Sequence, residues 1–150
     1  MDDGFQIEDD PIVDEDVESN DRDYQLIAIV SAVVNVVAFT GVGVFALDNA
    51  VYGGIAGVFA GVGGYLFLPW LLSVSAVQEQ SEGNVPFAEV SRQVSASGQL
   101  GVLGVGLEMG SVLMLAYAFR TETAELGTGV AIGVGAALVA YLAGSSLLDL

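Results

Sequence analysis

Four long stretches of this chain carry almost no charge, and that feature governs everything else. Residues 24–47, 49–78 and 126–148 contain no Asp, Glu, Lys or Arg, and residues 93–119 contain one, Glu108. A helix needs about 20 mostly apolar residues to cross a hydrocarbon core about 30 Å thick, and each run reaches that length. In lipid, backbone polar groups must be satisfied within the segment, so uncharged runs this long are helices. A water-soluble helix shows a polar side. These four have none, and the alternation of a membrane β-barrel is absent. The expected fold is all-α: a four-span transmembrane helix bundle over 25–150, with spans at about 25–46, 51–74, 98–119 and 126–148.

The charge is concentrated elsewhere. Residues 1–24 hold eleven of the 19 carboxylates against one arginine, Arg22, for a net charge of −10. Such a segment buries too little apolar surface to offset its ordering entropy, so 1–24 is expected to be a disordered acidic tail. It lacks the basic and apolar regions of a signal peptide. It reads as a solubilising tail or as a cation-collecting arm.

Composition removes several function classes. The chain has no Lys, His or Cys, and its three basic residues are Arg22, Arg92 and Arg120. Disulfides, Cys/His zinc sites, Schiff bases and thiol nucleophiles are therefore excluded. A net charge of −16 excludes a phosphate-binding surface for nucleic acid. No metal site, cofactor or catalytic constellation is read from the residues, and the chain is not expected to be an enzyme.

The connections follow from what lies between the runs. Leu47-Asp48-Asn49-Ala50 makes a tight helical hairpin, and Arg120–Glu125 is nearly as short. In the longer middle connection, Asn84 reads as a cap and Pro86 as a first-turn residue. Phe87, Val90 and Val94 then share a face. Residues 85–96 are read either as a short interfacial helix or as an extension of span three. Four spans place both termini on one side, with Arg22 and Arg92 there and Arg120 opposite. The arginine bias puts the termini in the cytoplasm and the chain in the cell membrane as a multi-pass protein. Trp70, Tyr24, Tyr117 and Phe119 lie near span ends, where aromatic residues suit the headgroup level.

Small residues mark where helices meet, because close packing drives association in lipid. Span two carries Gly53, Gly57, Gly61 and Gly64 in one narrow stripe. Span four repeats the device with Gly129, Gly133, Ala136, Ala140 and Gly144. Span three has Gly101, Gly104 and Ser111 on the side of Glu108, and Gly106 and Gly110 on the other, so it needs neighbours on both sides. Those neighbours are other spans of the bundle or a second copy. Gly57–Gly63 also resembles Gly129–Gly135 at an offset of 72 residues. Either a duplicated hairpin or a shared Gly/Val bias accounts for it.

Glu108 is the costly residue. It lies near mid-span, where an ionised, lipid-facing carboxylate costs at least a few kcal/mol, so it should face the bundle. It is either a proton or cation site or a hydrogen-bonding strut between helices. Asn35, at similar depth in span one, is the expected partner, with Ala28, Ser31, Ala32 and Ala38 on its face. Thr40, Tyr65 and Tyr141 are the other candidates.

The acidic balance, the absence of lysine and the Ala/Val/Gly-rich spans resemble small polytopic membrane proteins of extremely halophilic archaea. That resemblance is one of composition and implies a habitat, not an activity. In brine the Debye length falls below about 3 Å, and self-repulsion of the acidic chain is screened. The size is similar to that of four-span drug exporters of the small multidrug resistance type. Their essential carboxylate lies in the first span, where this chain has Asn35 and no acid. The function expected is a non-enzymatic structural or accessory subunit of a membrane assembly. The alternative is a small proton- or cation-coupled transporter or channel using Glu108. The partners expected are the lipid bilayer and either further copies or other membrane subunits.

Overall fold

The computed structural model describes residues 15–80, 95–121 and 124–148. Four helices account for nearly all of them: α1 (Glu15–Ala46), α2 (Ala50–Gln80), α3 (Ser95–Arg120) and α4 (Leu126–Leu148). Each contains an apolar segment long enough to span a bilayer: Arg22–Ala46, Ala50–Gln78, Gly98–Arg120 and Leu126–Leu147. The shortest has 22 residues, about 33 Å at a rise of 1.5 Å per residue. This is a small multi-pass membrane protein, with apolar helices suited to contact with lipid.

The helices run past the apolar segments that define them. α1 starts at Glu15 rather than near residue 25. Acidic residues at a helix N-terminus favour the macrodipole, and no Gly or Pro interrupts residues 12–40. α2 continues to Gln80 and α3 begins at Ser95. Pro69 lies inside α2, as the bilayer permits when neighbouring groups absorb the lost hydrogen bond. One turn on, Ser73 Oγ donates back to the Pro69 carbonyl at 2.8 Å, a bond separate from the one that the missing Pro69 N–H would have made to the Tyr65 carbonyl. Residues 1–14 of the expected tail, and the segment 85–94 with Arg92, lie outside the described residues.

The first hairpin is closed by local chemistry. Asp48 adopts a left-handed φ of 52°, which short polar side chains tolerate. The Asn49 N–H then reaches the Gly43 carbonyl at 2.8 Å. Asn49 caps α2, its Oδ1 accepting from the Tyr52 N–H at 3.0 Å.

The helices pack as a row. α1 packs on α2, α2 on α3, and α3 on α4. The central pair are the buried ones: 39% of the apolar window is buried in α2 and in α3, against 11% in α1 and 17% in α4. One core cluster, near the hairpin turns, gathers Tyr52, Ala56, Met114 and Ala118, flanked by Phe39, Leu115, Leu126 and Val130. A second, at the far end of α2, holds Trp70 and Val74 with Phe67 and Val77.

Candidate functional site: an intramembrane polar notch

Glycines decide which faces meet. On α2, Gly53, Gly57 and Gly61 face α1. A methyl group on Gly53 would run into the backbone of Gly43. One on Gly57 would lie 2.8 Å from the Val36 carbonyl oxygen, and one on Gly61 2.9 Å from that of Ala32. On α3, Gly104 meets α2, where a methyl would lie 2.6 Å from the Gly63 carbonyl oxygen. Gly106 meets α4, 2.6 Å from that of Ala137, and Gly110 abuts Gly133. Gly129 and Gly133 face inward toward Tyr52 and Met114, and Gly144 toward Val102. The two small-residue faces of α3 are thus both occupied within the chain, by α2 on one side and α4 on the other.

This packing brings Glu108 and Asn35 to one place. Glu108 shares a face of α3 with Gly104, and its Cγ would lie 2.7 Å from a methyl on Gly63. The next residue, Gly64, is where the polar heads converge. A methyl there would lie 2.8 Å from Asn35 Nδ2, 3.1 Å from Glu108 Oε1 and 3.6 Å from Ser31 Oγ. Two atoms 2.8 and 3.1 Å from one point are at most about 6 Å apart. Both side chains are half-buried. Gly64 therefore closes the glycine stripe differently from Gly53, Gly57 and Gly61: it leaves room for side-chain heads rather than for a backbone.

Asn35 and Glu108 face each other without a direct hydrogen bond among the described residues. The Asn35 amide donates instead to the Ala60 carbonyl, at a long 3.4 Å. Buried Ser111, one turn on from Glu108, donates its hydroxyl to the Glu108 main-chain carbonyl at 2.7 Å. Of the other partners considered for Glu108, Thr40 lies beside Gly57, about 10 Å along α2 from the notch. Tyr65 is 41% exposed on the outer face. No three His, Cys, Asp or Glu side chains cluster among the described residues.

Two residues take roles that sequence reasoning did not assign. Tyr52 is fully buried, and its hydroxyl donates to the Met114 carbonyl at 2.9 Å. The same hydroxyl fills the space above Gly129, where a methyl would collide with it. One side chain of α2 thereby ties α3 and α4. A phenol in lipid needs a partner for its O–H, which is the signal that could have pointed to it. Trp70, read as a headgroup-level aromatic, is instead 5% exposed. Its indole lies on Gly101, where a methyl would strike the ring, and 5.9 Å from the Phe67 centroid. The glycine opposite it makes a helix interface the better place for its apolar area than the membrane surface.

No family model matches this chain, and no curated protein or solved structure matches it.

Proposed function

We propose that this protein is a non-enzymatic structural or accessory subunit of a membrane assembly, seated in the cell membrane with both termini in the cytoplasm. The observation that carries this reading is the contrast between the inner and outer helices. α1 and α4 bury only 11% and 17% of their apolar windows. They present aliphatic faces such as Val30, Val33 and Val37 on one flank and Leu138, Val139 and Leu142 on the other. A row of four helices with two open flanks suits lateral association with further copies or other membrane subunits. Close packing, not apolarity, then selects the partner. The orientation rests on the arginine bias.

Extraction in a mild detergent, followed by native mass spectrometry, tests this reading. A complex larger than one chain, retained at low detergent and lost when bulky residues are placed on an outer flank, is the expected result. A monomer under all extraction conditions would contradict it.

A second reading is a proton- or cation-coupled transporter, favoured by the meeting of Glu108 and Asn35 from different helices at Gly64. Reconstituted vesicles with a pH-sensitive dye separate the two. The accessory reading predicts no flux in the parent. Flux abolished by Glu108→Gln, with folding intact, would establish the transporter.

A further inference from the structure

We propose that the notch at Gly64, bounded by Glu108 of α3 and by Asn35 and Ser31 of α1, binds a monovalent alkali cation that neutralises Glu108 inside the membrane. The proposal goes beyond the accessory-subunit reading and depends on no part of it. It starts from charge. The chain contains no Lys or His. Along α3, Arg120 is twelve residues from Glu108, about 18 Å away. On α1, Arg22 is thirteen residues from Asn35, about 20 Å along the helix. No arginine among the described residues therefore reaches the carboxyl. An ionised carboxylate at this depth needs a positive partner, and the described residues supply none.

The groups around the notch are the kind that supply hard oxygen ligands. Glu108 Oε1 and Ser31 Oγ already border it, and the Ala60 carbonyl lies beside Asn35. A half-turn of the Asn35 amide gives up the 3.4 Å bond to Ala60 and turns its carbonyl oxygen toward the Ala60 carbonyl oxygen, a pairing that a cation between them would stabilise. Because Gly64 has no side chain, the three heads come within 3.6 Å of the point where a methyl would stand. Charge then sets the valence. One carboxylate balances one positive charge, whereas a divalent ion would leave an uncompensated charge in the membrane interior. Calcium sites draw on 6–8 oxygen ligands, several of them carboxylate, and no cluster of three acidic side chains exists among the described residues.

Thermal unfolding of the full chain in lipid nanodiscs, with lithium, sodium or potassium chloride replacing choline chloride at constant ionic strength, tests the proposal. An ion that binds only the folded state raises the midpoint as its concentration rises. The expected result is a midpoint several degrees higher in at least one alkali salt than in choline. Glu108→Gln should abolish that rise. Asn35→Ala should shift it to higher salt concentration. Glu125→Gln, a loop-side acid that bonds Thr128, should keep it and so exclude general screening. Gly64→Ala is the second variant, because its methyl would meet only movable side-chain ends, so the bundle should form with the notch filled and the rise reduced. Equal midpoints of the parent in choline and in every alkali salt would overturn the proposal, Glu108 then being a protonated strut. A full rise retained in Glu108→Gln, or in Gly64→Ala if the first variant fails to fold, would overturn it as well.

Discussion

Replacing Gly57 by alanine should destabilise the bundle although alanine is the better helix former. The new methyl carbon would lie 2.8 Å from the Val36 carbonyl oxygen, 3.2 Å from Val36 Cα and 3.3 Å from Thr40 Oγ1. Optimal carbon contacts fall at about 3.5–4.0 Å. Two of the three atoms are backbone, so relief requires α1 itself to back away by about half an ångström or more. Overpacking of this kind costs about 1–3 kcal/mol, while the alanine contributes about 0.8–1.0 kcal/mol of helix propensity. The internal control is Gly135→Ala, since nothing lies within 4 Å of a methyl there. It gains the propensity without the clash. The difference between the two variants therefore isolates the packing cost, about 1–3 kcal/mol in favour of Gly135→Ala. Reversible unfolding in mixed detergent micelles, followed by the fluorescence of the single, buried Trp70, provides the comparison. Equal shifts in both variants would refute close packing of α2 on α1. Gly57→Leu and Gly61→Leu should disrupt the hairpin outright.

The remaining predictions concern single hydrogen bonds. Tyr52→Phe keeps the ring and loses the bond to the Met114 carbonyl, so stability should fall by about 0.5–1.5 kcal/mol; the same unfolding titration would show no change if that bond contributes nothing. Asn49→Ala removes the acceptor for the Tyr52 N–H and should cost about 0.5–2 kcal/mol, with exchange of the first-turn amides of α2 accelerated by hydrogen–deuterium measurement.

Most of this architecture is legible in the sequence because lipid imposes a coarse rule. Charge-free runs of sufficient length must be helices, and the ends at Ala46 and Arg120 follow from Asp48 and from the polar residues after Phe119. Helix faces are legible wherever glycine spacing marks them, as at Gly106 and Gly110. The exact meeting of Asn35 with Glu108 is less so. Depth placed them at one level, but the direction each head takes depends on Gly63 and Gly64 being the residues crossed. Tyr52 and Trp70 illustrate the remainder. An aromatic near a span end fits the membrane surface and a helix interface equally well by position, and the choice depends on a small residue far along the chain, Gly129 or Gly101. The extension of α1 back to Glu15 was hidden because hydropathy marks where a helix enters lipid and not where it begins.

The central claim, four membrane crossings, is tested most directly by side-specific labelling of single cysteines. The chain has no cysteine of its own, so Asp10→Cys, Asn84→Cys and Thr123→Cys each report one site against a silent background. Four spans predict that positions 10 and 84 react with an impermeant thiol reagent from one side of sealed vesicles, and position 123 from the other. Labelling of 10 and 123 from the same side would contradict the fold.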